Sequence, residues 1–437
     1  MMSTDLLPGP LNEPTERVRC PVHGFIRYSK NERKIIDHFI FQRLRNIRQL
    51  AMEYLVYPGA THTRFEHSLG VMDMAARIFD ALVRRHRAEI LEDLKQVPEL
   101  SEDTIAKARQ VIRLMGLLHD VGHPAFAHAG EAGIPDKKSH EKVSVYAIEH
   151  LLGDLLNATF FEGATSVLVR LMNKSEELAF LGQLVSGEVD VDRADYLLRD
   201  SLHCGVNYGV YDSNRLIESL TLIVDSDSGR LQLALDRGGE HTFEAMILAR
   251  YQMSTQVYFH KIRRIYDHYL EEYCRIWGPE HYASLDDVLD HDDLSVTVDI
   301  RLDARIEGPK QEWAQRITQR RHHRVVHQTG DSADHQDLQR AKRMLTELRS
   351  RFDTCDFHLD DSQLSIYKLW VPGDQEEPKV ENLFIKEPNG NTKLLTRDSA
   401  IIGKVPKRVR TVRIFSDGGP AAMTEVCEQV RKMEKSI

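Results

Sequence analysis

Three stretches of the chain concentrate side chains that bind metal ions or move protons: THTRFEHSLG (61–70), LLHDVGHPAFAH (117–128) and VDVDRADYLLRD (189–200). In the second, His119 and Asp120 stand together at the end of an otherwise apolar helical run. Burying an ionisable pair there is unfavourable unless something compensates, and a bound cation would. His67, His119-Asp120 and Asp192 come from three separate elements that could converge. Two imidazoles and two carboxylates suit Fe, Mn, Co, Ni or Zn, with Mg less natural at the imidazoles. Each residue alone also has a plain reading. An HD dipeptide arises often by chance, His67 can be a capping or core histidine, and Asp192 can belong to a solvated acidic face. The combination, with Arg64, His123, His128 and His140-Glu141 in the same region, is much harder to explain as solvated surface.

Helical spacing must position these groups. Thr61 or Thr63 caps a helix expected from Arg64 to about His86, and a second runs from about Glu102 to His119, ending where VGHP supplies glycine and proline. Helical patterns continue through 140–157, 161–185 and 190–203. Upstream, residues 1–20 carry three prolines and read as a loose arm. PVHGFIRYS follows as a short strand, and NERKIIDHFIFQRLRNIRQL has helical spacing at Ile36, Ile40, Leu44 and Ile47. LTLIVDSDSGRLQLALD reads as a hairpin, and a long helix is expected from about Glu240 to Trp277. Beyond 285 the pattern is mixed, with a helix at 333–352, alternating stretches at 365–371, 382–386 and 408–415, and a closing helix at 421–435. The expected fold is mostly α: an arm (1–20), a helical core (21–285) and a smaller α+β C-terminal extension (286–437).

With 437 residues, 41% of them hydrophobic, the chain can bury a sizeable core without disulfides. Its five cysteines are odd in number and never spaced as CxxC, which fits a reducing cytoplasm. The N-terminus does not read as a signal peptide, and no stretch approaches the ~20 apolar residues of a membrane span. A net charge of -9 argues against a constitutively basic nucleic-acid coat protein, but not against a local phosphate-binding cluster.

PVHG (21–24), FQRLRNIRQL, YPGATHTRFEHSLGV, LLHDVGHPAFAH, HE at 140, VDVDRADYLLRD and VYFHK (257–261) together resemble the HD-domain deoxynucleoside triphosphate triphosphohydrolases. That family includes the vertebrate antiviral dNTPase and bacterial dGTPase-like enzymes. The resemblance covers roughly the first 275 residues. It implies an HD-domain core with His67, His119, Asp120 and Asp192 as metal ligands, the same four that convergence suggests. It implies that His123, His128 and His140 line the triphosphate and assist catalysis, with Glu131 and Glu141 holding imidazoles in position. Arg64, Arg193, Arg250 and Lys261 match or stand near phosphate-neutralising positions. Tyr196 and Asp200 match sugar contacts, while Gln49, Leu50 and Tyr258 match the remaining sugar and base-side contacts. Asp37, Gln42 and Arg45 match an allosteric nucleotide site, although Asp37 and Arg45 also read as plain surface charges.

The implied reaction is metal-dependent hydrolysis of deoxynucleoside triphosphates, dGTP among them, to deoxynucleoside and inorganic triphosphate. A divalent transition metal, Mg on the substrate, a nucleotide effector and a homo-oligomer (dimer or tetramer) are implied as well. The sequence departs from the family at Arg193 (usually lysine), Glu131 (aspartate) and Phe259 (a polar residue). It also has Cys20 where DPIHG carries the guanine-reading aspartate. The rival readings are an HD phosphohydrolase of another nucleotide phosphoester and a low-turnover nucleotide- or nucleic-acid-binding sensor. RRHHRVVH (320–327) reads as a solvated segment and KVPKRVRTVR (404–413) as an edge strand protected by charge. The sharper alternatives are a phosphate or nucleic-acid contact for the first and a nucleotide-effector or RNA contact for the second.

Overall fold

The computed structural model describes residues 15–226, 228–369 and 382–435. The expectations for 1–14 and 370–371 fall outside them. Among the described residues an antiparallel hairpin, β1 (Glu16–Cys20) and β2 (Gly24–Tyr28), comes first, so the last part of the expected arm is strand. Two short helices follow, α1 (Lys30–Ile36) and α2 (Phe39–Gln42). The single helix expected here is broken at Asp37–His38, where His38 takes extended backbone and caps α2.

The long α3 (Arg64–Leu94) starts after Thr63, whose backbone N–H donates to Glu66, and it passes His86 with non-helical backbone there. It packs closely on α4 (Thr104–Leu118), because a Cβ on Gly116 would lie 2.9 Å from the Met72 backbone. Then come α5 (His140–Tyr146), α6 (Gly153–Thr159), α7 (Ala164–Met172), α8 (Ala179–Ser186), α9 (Val191–Cys204) and α10 (Ser213–Ser219). The expected hairpin forms as β3 (Leu220–Val224) and β4 (Leu231–Asp236).

The long helix expected over 240–277 is two: α11 (Glu240–Met253) and α12 (Lys261–His281), separated by a π-turn at Ser254–Tyr258. No proline or glycine breaks it. Long-range hydrogen bonds accompany the break: Tyr258 Oη donates to Asp200, and Arg413 donates to the Phe259 carbonyl at 2.8 Å. Such π-turns are frequent at functional sites.

Downstream lie α13 (Leu285–Asp290), α14 (Asp293–Asp303), α15 (Gln311–Thr318), β5 (Arg324–Gln328), α16 (His335–Arg351), β6 (Phe357–Ser365), β7 (Phe384–Lys386), β8 (Thr392–Leu394), α17 (Leu395–Asp398), β9 (Arg408–Ser416) and α18 (Pro420–Lys435). The architecture is mostly α with a smaller strand-containing C-terminal region. One sheet has the order β3-β4-β7-β8, with β4 parallel to β7; another has the order β5-β9-β6 and is antiparallel throughout.

β9 is therefore a middle strand, which corrects the edge-strand reading of 404–413. The acids missing from its own sequence come from β6: Arg413 meets its register partner Asp360 at 3.2 Å, and Arg410 forms a two-pronged bond to Asp361. RRHHRVVH is solvated only in part, with Arg320, Arg321 and Arg324 exposed. It enters β5, and His323 is buried between Tyr269 Oη (2.6 Å) and Asp356 (3.1 Å).

One hydrophobic cluster runs through the helices and reaches β9 at Val409 and Phe415, while a smaller one joins α16 and α18 to the sheet. All five cysteines are unpaired. Among the described residues no helix is long and apolar enough to cross a membrane.

Candidate active site

α3, the end of α4 and the first turn of α9 bring His67, His119, Asp120 and Asp192 together. His67 Nε2 lies 3.0 Å from Asp192 and 3.8 Å from Asp120; His119 Nε2 lies 3.6 Å and 3.5 Å from the same two carboxylates. Both Nε2 atoms are buried and without a hydrogen-bond partner among the described residues. The opposite nitrogens are engaged, His67 Nδ1 by Asp195 at 2.7 Å and His119 Nδ1 by the Gly116 carbonyl at 2.9 Å. With Nδ1 donating, each Nε2 turns a lone pair toward two carboxylates. That arrangement is repulsive until a cation sits among them, and it is how metal-ligating histidines are commonly oriented. The donor set fits a divalent transition metal.

Without a metal ion a proton supplies that positive charge: burial disfavours the His67 imidazolium, yet Asp192 and Asp195 raise its pKa to about 10, so metal binding there would displace a proton from Nε2. Burial also disfavours an ionised Asp120, but His119, Arg64 and His123 hold its carboxyl well below the usual range.

Beside this set is an imidazole cluster. His123 Nε2 is 3.3 Å from Asp120, and its ring stacks on His140 at 3.8 Å, with His128 edge-on to both at 5.1 Å. One oxygen of Glu131 accepts from or faces both His128 Nδ1 (2.9 Å) and His140 Nδ1 (2.7 Å). Burial pushes the Glu131 pKa up, but the two histidines outweigh it and bring it down to about 2. Glu141, expected to share this task, has an exposed side chain 3.9 Å from His140 Nε2, so Glu131 is the carboxylate that holds the rings.

The turn carrying these groups is fastened from several sides. Arg43 donates to the carbonyls of Val121, His123 and His291. Ser144 links the His119 carbonyl to the Gly122 N–H, and a Cβ on Gly122 would come within 2.1 Å of the Ser144 nitrogen. Phe126 and Ala127 then adopt left-handed backbone, φ 59° and 55°, just before His128. Asp293 at the start of α14 accepts from the Phe126 N–H at 2.7 Å.

On the other side, Asp200 accepts from Tyr258 Oη at 2.8 Å and lies 2.7 Å from His62 Nε2, while the Tyr196 ring stands edge-on to Tyr258 at 6.3 Å. Leu50 is buried, and Gln49 Oε1 and two guanidinium nitrogens of buried Arg250 have no hydrogen-bond partner among the described residues. Arg64 is tied to Asp120. Lys261 is exposed at the start of α12. Arg193 is buried against Asp190 (3.3 Å) and Glu188 (3.6 Å), so its charge is already engaged by acids. Asp37 pairs with Arg33 at 3.0 Å, whereas Gln42 accepts from Arg45, whose guanidinium lies 3.5 Å from the Phe65 ring centre.

Sequence reasoning missed Asp195, Arg199, His23, His62 and Arg43. A signal existed for two of them: Asp192, Asp195 and Arg199 recur at intervals of three and four along α9, which places them on one helix face. His23 and Arg43 act across long sequence separations and left no periodic trace.

Residues 64–200 match the HD domain and residues 211–350 match the HD associated region. An uncharacterised protein of Methanocaldococcus jannaschii is 33% identical over 286 residues, 65% of this chain and 55% of that protein. The deoxynucleoside triphosphate triphosphohydrolase SAMHD1 of Homo sapiens is 29% identical over 284 residues, 57% of this chain and 42% of that protein. These matches thus span only about half the length of each relative. A solved structure of a hypothetical protein from Aquifex aeolicus superposes with a TM-score of 0.74 at 27% identity, covering 95% of this chain and 99% of that one. The chain carries an HD domain followed by an HD associated region.

Proposed function

We propose that this HD-domain chain is a metal-dependent phosphohydrolase that cleaves deoxynucleoside triphosphates, dGTP among them, to deoxynucleoside and inorganic triphosphate. The observation that carries the proposal is the pair of buried, unpartnered Nε2 atoms of His67 and His119 facing Asp120 and Asp192, next to the cluster of His123, His128 and His140. A divalent transition metal held by those four ligands would lower the pKa of a bound water and polarise the α-phosphorus. The free guanidinium nitrogens of Arg250, with Lys261, neutralise phosphate oxygens where charge develops. His128, exposed and oriented by Glu131, donates a proton to the departing 5′-oxygen. Asp200, already held by Tyr258 and His62, receives the 3′-hydroxyl, and Tyr196 fills the space a 2′-hydroxyl would need.

The human relative is named a deoxynucleoside triphosphate triphosphohydrolase, which supports the same substrate class. Activation by a nucleotide at Asp37, Gln42 and Arg45, assembly as a dimer or tetramer, Mg on the substrate and a cytoplasmic location belong to the same proposal. Incubation with each dNTP and rNTP in Mn or Mg, with product identification, tests it. Inorganic triphosphate plus deoxynucleoside is the expected result; pyrophosphate or single phosphate release would overturn the proposed bond.

A further inference from the structure

Behind the proposed metal ligands lies a carboxylate that no part of the reaction uses directly. Asp195 is fully buried and receives four polar contacts: His67 Nδ1 at 2.7 Å, His23 Nε2 at 2.6 Å, and Arg199 Nε and Nη2 at 2.8 Å each. His23 belongs to the turn of the amino-terminal hairpin, not to the helices that supply the ligands. That turn is itself fixed. Gly24 closes it with φ 77°, and Cys20 Sγ accepts from the His23 N–H at 3.4 Å and from Arg199 at 3.5 Å. α3 makes room for the arrangement at Gly70, where a Cβ would lie 2.0 Å from Asp195 Oδ1 and 2.4 Å from Arg199 Nη2.

We infer that Asp195 and the hairpin residue His23 are positioning residues that set how tightly the proposed centre holds its ion. The inference rests on reading His67 as a metal ligand. Its physical basis is rotational. A carboxylate contacted on both oxygens from three directions cannot turn, so its bond to Nδ1 fixes the plane of the His67 ring and aims Nε2 at Asp120 and Asp192. Removing the His23 contact leaves Oδ1 held by Arg199 Nη2 alone, so the carboxylate, and the imidazole it aims, are less tightly fixed. The hairpin thereby becomes part of the metal centre although it contributes no ligand.

The test measures the dissociation constant for Co2+ alone by competition with a chromogenic chelator, together with the visible absorption of the bound ion. Asp195→Asn should weaken binding about 10- to 100-fold, the range typical of groups that orient a metal-bound histidine. His23→Leu should weaken it by a smaller factor, toward the low end of about 10-fold. His23→Gln keeps a side-chain N–H within reach of Asp195 and should restore most of the affinity and the parental absorption spectrum. Thermal unfolding of each variant in chelator shows whether the fold is intact; if Asp195→Asn does not fold, the Leu/Gln pair at His23 decides. Parental affinity in His23→Leu, or no recovery in His23→Gln relative to it, overturns the inference. A parent chain that binds no Co2+, or a His67→Ala variant that binds it as well as the parent, instead overturns the metal centre on which the inference rests.

Discussion

Two of the stacked imidazole pairs among the described residues have nearly the same geometry and opposite surroundings. His123 lies on His140 at 3.8 Å and 12°, and His268 of α12 lies on His358 of β6 at 3.5 Å and 16°. The first pair is bracketed by acids, Asp120 at His123 and Glu131 at His140, and has exposed His128 edge-on beside it. The second is wedged between a helix and a sheet, with Trp313 edge-on at 5.6 Å. Burial, then His358 and His323, push the His268 pKa down to about 3; burial likewise brings His358 to about 4 despite Asp360. Stacking is common to both, so it does not distinguish a proton-handling cluster from a packed one. Carboxylates within hydrogen-bond reach and an opening to solvent do.

The sharpest way to break the comparison is at the metal side of the first cluster. Asp120→Ala should lose the bound ion and lower turnover by about 1,000-fold, read by metal analysis and by nucleoside release; a variant with full metal content and activity would refute the ligand assignment. Glu131→Gln should lower turnover by about 100-fold with metal content unchanged, because His128 and His140 lose the carboxylate that fixes their rings.

The second cluster predicts a pH effect instead. Below the ordinary histidine pKa of 6.5 the unfolded chain takes up protons at His268 and His358, while the native side chains stay neutral until about 3 and about 4. Stability present at neutral pH is therefore lost progressively as pH falls through that window. Urea unfolding at pH 7 and pH 5 should show a shallower acid loss in His358→Phe than in the parent, and equal losses would show that the pair is not responsible. The smallest effect belongs to Glu141→Gln, which should leave turnover within about twofold, since that carboxylate is exposed and 3.9 Å from His140.

How much of this was legible in sequence follows the range of the interactions. α3, α4 and α9 and the hairpin β3–β4 were readable because their apolar spacing and turn residues are local. The convergence of His67, His119, Asp120 and Asp192 was readable because each sits at or near a helix end that the sequence marks. The break between α11 and α12 was not, since contacts from Asp200 and Arg413 accompany it and no local breaker does. The place of β9 inside its sheet was hidden for the same reason: the acids that balance its arginines lie on β6, about fifty positions earlier, as at Asp360 and Arg413. His23 and Asp195, 172 positions apart, meet only in the folded chain.

The left-handed backbone at Phe126 and Ala127 carries a further consequence for how the protein can be divided. Such conformations cost about 1–2 kcal/mol per residue for L-amino acids, so the segment leading to His128 relaxes unless something outside it holds it in place. The hold comes from Asp293, which accepts the Phe126 N–H and the Arg48 N–H from beyond the helices that carry the proposed metal ligands. A fragment ending after α12 would keep His67, His119, Asp120 and Asp192 yet lack that restraint. On the proposed reading it would keep the four metal ligands while the segment that carries His128, the proposed proton donor, loses its restraint.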